Sequence, residues 1–189
     1  MLQGDHGLSR KSVEPGNASY YYSIPRLQAE GTLRLEGKEI PVSGLAWLDR
    51  EWSTSALGPD QAGWDWFSLQ LVDGRNLMYY QLRRKDGTVD PYSAGTLSNA
   101  DGVQKQLDPG AVTLTPLDYW QSDARRYPIE WRMQVAGEAP WLIRALLSDQ
   151  EMRASVRYWE GAVEVIDEKS RASIGRGYLE MAGYAEVKD

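Results

Sequence analysis

Short runs of alternating side chains, separated by turn residues, are the feature that most constrains the fold of this chain. The run WDWFSLQL, over residues 64–71, alternates without a break. Successive side chains of a β-strand point to opposite faces, so Trp64 and Trp66 share one face and Phe67 and Leu69 the other. Segments of this kind predict a β-sheet whose two faces differ in character.

Turn signals recur between such runs. Asp-Gly pairs at residues 73–74 and 86–87 bracket a strand over residues 77–84 and predict two hairpins. Helical periodicity is weak throughout, and residues 140–152 fit a helix or a strand. Regular short strands are typical of an antiparallel sandwich or barrel, so we expect an all-β fold with at most one short helix. The other predicted strands cover residues 19–35, 39–52, 92–97, 103–107, 112–117, 129–135, 141–147, 155–166 and 177–187.

Length and charge limit the possible classes of function. The chain has 189 residues, which is enough for one domain with a full core, and residues 1–18 read as a polar linker or tail. Its net charge of −6 argues against nucleic acid or an anionic membrane as the main partner. No apolar stretch approaches the roughly 20 residues that a membrane-spanning helix needs. The first residues also lack the apolar region of a secretory signal.

The inventory of reactive side chains is equally restrictive. Cysteine is absent and His6, the single histidine, lies in the predicted tail. A His-dependent triad, a disulfide and a His- or Cys-ligated metal site are therefore not expected. The sequence predicts no metal and no cofactor.

The sequence GLAWLDREW, over residues 44–52, is the strongest candidate for a site. In a strand, Trp47, Asp49 and Glu51 share one face, which is a poor apolar core and a good wall for a polar pocket. Desolvation beside an indole raises the pKa of a carboxyl, so Asp49 is the candidate proton donor, with Glu51 as the partner that orients it. The alternative is structural: Asp49 with Arg50 or Glu51 closes a strand end through backbone and salt-bridge contacts. In place of Glu51, Arg50 or Arg26 is the alternative ion-pair partner of Asp49.

The aromatic composition supports a pocket wall that is partly apolar and partly accessible to water. Eight Trp and eleven Tyr accompany a single Phe, and both abundant types pair apolar area with a polar group. An indole face also stabilises a nearby cation by roughly 0.5–2 kcal/mol. Glu160 and Glu180 face either the pocket or structural hydrogen-bond partners. The predicted ligand-binding residues are Trp47, Trp52, Trp64, Trp66, Gln70, Tyr79 and Glu160; of these, Gln70 and Tyr79 are candidates to place a water or hydroxyl.

Several longer motifs resemble a known family. They are GDHGLSRK near the start, YYYSIPRL, GLAWLDREW, AGWDWFSLQLVDGRNLMYYQLRR, DQEM, YWEGAVEV and GRGYLEMAGY. Together they span about Gly4 to Tyr184 and resemble the carotenoid 1,2-hydratase (hydroxyneurosporene synthase)/AttH-like family of lipocalin-related proteins. The resemblance is more specific for the AttH-like branch than for the carotenoid hydratases.

The resemblance implies a lipocalin-like, calycin-type antiparallel β-barrel over residues 19–189. Family members are commonly two such domains in sequence, so this chain looks like the second, with the missing N-terminal domain as a partner. The resemblance further implies a periplasmic or envelope-associated parent protein and an association with an ABC-type exporter. In the hydratase branch an aromatic-x-Asp pair protonates an isoprenoid double bond, and Trp47-x-Asp49 is the similar position. That branch also uses a histidine, which this chain has only at His6.

Three functions remain open at this point. The first is a non-catalytic domain that binds a lipid, an isoprenoid or another hydrophobic small molecule. The second is an enzyme that hydrates, isomerises or cyclises a polyene with Asp49 as proton donor. The third is a structural domain whose barrel is filled by its own side chains. A cavity of a few hundred Å³ counts against the third.

Overall fold

The structure, a computed structural model, describes residues 1–53 and 57–186. These residues form thirteen strands in two antiparallel sheets, and no helix occurs among them. The all-β prediction is confirmed. The smaller sheet has the order β1-β2-β3 and contains β1 (Leu8–Arg10), β2 (Ala18–Leu35) and β3 (Lys38–Ser53).

The larger sheet has the order β7-β6-β5-β4-β13-β12-β10-β9-β8, and β11 pairs with β12 outside this path. Most neighbours are joined by hairpins; at both predicted Asp-Gly turns the glycine, Gly74 or Gly87, has a positive φ that favours this residue. The strands are β4 (Gln61–Leu71), β5 (Asn76–Arg84), β6 (Ala94–Ser98), β7 (Gln104–Leu107), β8 (Val112–Gln121), β9 (Arg126–Val135), β10 (Trp141–Ala145), β11 (Glu151–Arg153), β12 (Arg157–Asp167) and β13 (Ser173–Ala182).

The larger sheet curls around one closed core. Leu107 of β7 and Val112 of β8, at opposite ends of the strand order, belong to the same cluster of buried side chains. Phe67 and Leu179 from the middle of the sheet complete that cluster and are 0% exposed. The sheet is therefore a half-barrel of the lipocalin-like type, as predicted, and its inner face is filled with side chains.

The outer face of the same sheet is covered near β4 and β5 by the smaller sheet. Tyr21 of β2 packs with Met78, Tyr80 and Leu82 of β5 in a second buried cluster. Residues 27–45, the far part of the β2–β3 hairpin, extend beyond this contact and are exposed. The two faces of β4 and β5 thus lie in two different environments.

Two predictions about the chain path need correction, and one open alternative is decided. Residues 1–18 are not a loose tail, because Gln3 is 0% exposed, Ser9 is 1% exposed, and β1 pairs with β2. For residues 140–152, which fitted a helix or a strand, the structure has two strands, β10 and β11. The last predicted strand begins earlier than expected and ends at Ala182; the predicted end at residue 187 lies outside the described residues.

Candidate functional site

A cavity of about 700 Å³ lies between the two sheets, on the outer face of β4, β5 and β13. Its walls combine aromatic rings and aliphatic side chains with three carboxylates and one ammonium group. A pocket of this size and mixture is typical of small-molecule sites. The lining residues are Lys11, Tyr21, Asp49, Glu51, Trp52, Ser53, Leu57, Trp64, Trp66, Tyr80, Leu82 and Glu180.

Strand register brings the two acids of GLAWLDREW onto the cavity wall. Asp49 is paired with Ser23 across β2 and β3, and Glu51 is paired with Tyr21. Directly opposed residues of an antiparallel pair point to the same face, and Tyr21 and Ser23 are buried there. Asp49 and Glu51 are two residues apart, so their Cα atoms are separated by about 7 Å along the strand.

Asp49 is held by hydrogen-bond donors and forms no ion pair with a described residue. The Ser23 hydroxyl donates to Asp49 Oδ1 at 2.6 Å. Burial raises the pKa of Asp49; Ser23, Tyr21 and the indole of Trp47 lower it in part, and nearby Glu51 raises it further. The indole N–H of Trp47 makes no hydrogen bond of standard geometry. The direction of the shift is the one that a proton donor near neutral pH needs.

Glu51 lies in a different electrostatic environment from Asp49. Lys11 Nζ is 2.9 Å from Glu51 Oε1, and the Ser19 hydroxyl donates to the same oxygen at 2.5 Å. Lys11 also lies over the Tyr80 ring, 3.9 Å from its centroid. Glu51 therefore has a cationic partner and a hydroxyl donor, whereas the Ser23 hydroxyl that donates to Asp49 is neutral.

The indoles of β4 are fixed by their N–H groups. Trp64 Nε1 donates to Glu180 Oε1 at 2.6 Å, and Trp66 Nε1 donates to the Tyr21 hydroxyl at 2.9 Å. Both bonds hold the ring planes against the cavity, and the second links the two sheets. A rigid aromatic wall of this kind presents apolar area and ring faces to whatever occupies the cavity.

Glu180 is the third carboxylate of the cavity. Burial raises its pKa, the hydrogen bond from Trp64 lowers it in part, and Glu160, Asp49 and Glu51 raise it further. Glu160 stands directly opposite Glu180 in the register of β12 and β13, and like charges in that position destabilise a sheet. No described basic residue forms an ion pair with Glu180.

The structure brings together most of the predicted site. Asp49 and Glu51 line the cavity with the predicted ligand-binding residues Trp52, Trp64 and Trp66. Trp52 is half-exposed and packs at 5.8 Å from the Tyr20 ring, at the rim of the cavity.

The other four predicted ligand-binding residues lie outside the lining. Trp47 packs against the second buried cluster and is not among the lining residues. Tyr79 is on the opposite face of β5, in the closed core, because its register partner is Phe67. Gln70 is at the far end of β4, where its amide donates to the Pro25 carbonyl at 2.5 Å. Glu160 accepts from the Tyr158 hydroxyl at 3.1 Å, one strand away from the cavity.

Six lining residues were not predicted as part of a site, and three of them, Tyr80, Tyr21 and Lys11, carry polar groups that shape it. Tyr80 could have been found, because the Asp73-Gly74 hairpin sets the register that places it beside Trp66. Tyr21 lies in a predicted strand, and only the β2–β3 register places it opposite Glu51. No sequence pattern indicates Lys11 as a site residue, because it lies in a polar segment without hydrophobic periodicity. Among residues 1–53 and 57–186, no group of His, Cys, Asp and Glu has the arrangement of a metal site, and no helix could span a membrane.

Comparison with known proteins gives a consistent result. A family model described as AttH-like matches residues 1–184. A crystal structure of an AttH protein, NE1406 of Nitrosomonas europaea, is 42% identical with a TM-score of 0.90, over 98% of this chain and 58% of that one. Kievitone hydratase of Fusarium solani subsp. phaseoli is 24% identical over 142 residues, which are 71% of this chain and 39% of the relative.

A second solved structure supports the fold alone. Kievitone hydratase from Nectria haematococca has a TM-score of 0.75 at 19% identity, over 95% of this chain and 56% of that one. The chain thus spans between about two fifths and three fifths of the length of these relatives.

Proposed function

Since the chain belongs to the AttH-like family, we propose that its cavity binds an apolar, unsaturated small molecule and adds water to a carbon–carbon double bond, with Asp49 as proton donor. One observation carries the proposal. Two carboxyls on one strand face, in an aromatic-walled cavity of about 700 Å³, have different environments: Asp49 has no cationic partner among the described residues, and Glu51 is paired with Lys11. The relationship to a protein named kievitone hydratase supports this class of reaction.

The proposed reaction divides acid and base between the two groups. Asp49 transfers its proton to the less substituted alkene carbon; a C–H bond forms, the π bond breaks, and a tertiary cation remains. The faces of Trp64 and Trp66 stabilise that cation. Water then forms the C–O bond and gives its proton to Glu51, and exchange with solvent returns the proton to Asp49.

A second candidate function is binding without reaction. It is favoured by the fact that both acids already have partners of their own, Ser23 for Asp49, and Ser19 and Lys11 for Glu51. A purely structural role is disfavoured, because the half-barrel is filled on its inner face while a cavity of about 700 Å³ is present on its outer face.

Incubation with farnesol in ¹⁸O-labelled water, followed by mass spectrometry of extracted products, separates the two functions. Hydration predicts a product carrying one labelled oxygen with the unaltered chain and no product with Asp49→Asn. The matched control is Asp118→Asn, which removes an exposed aspartate of β8 far from the cavity and keeps the reaction. Farnesol that binds and is recovered unchanged supports the binding function and contradicts hydration.

Three wider features of the parent protein remain part of this proposal. A further lipocalin-like domain, an ABC-type exporter as partner and a periplasmic location are all implied by the resemblance to the family. Relatives longer than this chain support the first of them, since NE1406 has 42% of its length outside the match. Expression of a full-length parent with a C-terminal tag and fractionation of the cells tests the location directly.

A further inference from the structure

We infer that the cavity selects for a positive charge, so that an alkylammonium amphiphile binds more tightly than the neutral or anionic molecule of the same shape. The inference names the ligand class of the proposed site and therefore rests on ligand binding there. It does not depend on catalysis.

The ring faces around the cavity already hold one cation. Lys11 Nζ lies 3.9 Å from the Tyr80 centroid and 5.4 Å from the Tyr21 centroid. Trp64 and Trp66 line the same space, and their N–H groups donate to Glu180 and Tyr21, which fixes the two indoles in the cavity wall. An ammonium group over an indole or phenol face is attracted by the ring quadrupole, and several rings around one cation form an aromatic cage.

The charges of the lining are not balanced. Lys11 is the single basic residue among the described lining residues, and it already forms an ion pair with Glu51 at 2.9 Å. Asp49 and Glu180 receive hydrogen bonds from Ser23 and Trp64, which are neutral donors. An ammonium group in the cavity supplies the charge-assisted partner that these two carboxyls lack among the described residues.

The same arrangement acts against anions. A carboxylate or phosphate ligand would lose its hydration in a space bounded by Asp49, Glu51 and Glu180, and the single ammonium there is already paired. Selectivity of this kind comes from repulsion of the wrong ligand as well as attraction of the right one. A neutral ligand makes the same apolar contacts, but the carboxyls neither attract it as they attract a cation nor repel it as they repel an anion.

Three farnesyl compounds with different head groups test the inference. Binding of farnesylamine, farnesol and farnesoic acid is followed by the fluorescence of the indoles, below the concentration at which each compound aggregates. The expected order is farnesylamine first, about tenfold tighter than farnesol, and farnesoic acid weakest. An affinity of farnesylamine equal to or below that of farnesol overturns the inference.

The net charge of −6 attracts any amine, so a variant is needed to locate the effect. Glu180→Gln keeps an oxygen for the Trp64 N–H and removes the charge; it is expected to reduce the amine-to-alcohol affinity ratio several-fold. Glu164→Gln is the control: it removes one charge from the same face of the sheet, outside the cavity lining, and keeps the ratio. Equal ratios in the two variants contradict the inference.

The outcome is distinguishable from that of the hydration experiment. A preference for farnesylamine together with unchanged farnesol supports the charge selectivity and contradicts hydration. A labelled hydration product with no preference for the amine supports hydration and contradicts the charge selectivity.

Discussion

Two aspartates near β4, Asp65 and Asp49, lie on opposite faces of the half-barrel and are stabilised in different ways. Asp65 is on the inner face and is 0% exposed; Arg83 Nε lies 3.2 Å from its carboxylate and the Tyr184 hydroxyl donates to it at 2.9 Å. Asp49 faces the outer cavity and has hydroxyl donors, with no ion-pair partner in the part of the chain that the structure describes.

The difference separates a structural acid from a candidate functional one. A buried charge is tolerated when it is paired and hydrogen-bonded, which is the situation of Asp65. Burial raises the pKa of both acids; at Asp65 the Arg83 guanidinium and the Tyr184 hydroxyl oppose that rise, whereas at Asp49 the opposing groups among the described residues are neutral donors. The same contrast applies to Glu151, which pairs with Arg153 at 3.1 Å, and Glu180, which has no such partner among the described residues.

The largest expected effect contrasts two adjacent aromatic residues of β4. Phe67→Ala empties a fully buried site in the closed core and is expected to lower the free energy of unfolding by about 3–5 kcal/mol. Trp66→Ala removes a half-buried ring on the outer face and is expected to cost about 2 kcal/mol. Urea unfolding measures both. Equal costs would show that the outer face is a second core and not the wall of a binding site.

The second effect concerns the two aspartates themselves. Asp65→Ala leaves Arg83 without its carboxylate and is expected to cost about 3 kcal/mol in the free energy of unfolding. Asp49→Ala removes one hydrogen bond from Ser23 and is expected to cost about 1 kcal/mol. The comparison fails if Asp49→Ala is the more destabilising of the two in urea titrations at neutral pH.

The third effect tests the role of Lys11. Because Glu51 is partly exposed, Lys11→Met is expected to cost less than about 1 kcal/mol, and the cost should shrink as salt is added. Lys11→Arg is the matched control, since it keeps the charge beside Glu51. A cost of several kcal/mol that is independent of salt would show that Lys11 is a packing residue of the core.

The smallest effect is a dependence of stability on pH. Burial raises the pKa of Asp49 and of Glu180 above the ordinary carboxyl range, so the folded state binds these protons more tightly than the unfolded chain. Their contribution to stability is present below the unfolded pKa of about 4 and is lost as the pH rises through the raised folded pKa. Over that range the double variant Asp49→Asn and Glu180→Gln should gain stability relative to the unaltered chain in urea unfolding. Parallel curves would contradict the raised pKa values.

Much of the fold could be predicted because strand alternation is a local property. The faces of residues 64–71 are as the sequence indicated, with Trp64 and Trp66 outside and Phe67 and Leu69 inside. Trp47, Asp49 and Glu51 lie on the side of β3 that faces the larger sheet, as their spacing predicted. Period-two spacing determines which side chains share a face, and both outcomes follow from it.

The site could be predicted only in part, because a cavity depends on contacts between segments that are distant in sequence. Tyr79 has the aromatic ring and hydroxyl group that are expected of a site residue. Its pairing with Phe67 nevertheless places it inside the closed core. Lys11 reaches Glu51 through the pairing of β1 with β2 and of β2 with β3, which no single segment encodes. Gln70 shares the face of Trp66 but lies too far along the strand to reach the cavity.

The protonation of Asp49 is the most direct test of the account. Carbon-detected NMR of the carboxyl groups, with Asp49→Asn to assign the signal, gives its pKa with and without farnesol. The account predicts a pKa above the ordinary aspartate range in the free protein and a further rise when the apolar ligand excludes water. An Asp49 that titrates at or below the ordinary range, and does not respond to ligand, would contradict its role as the proton donor of this cavity.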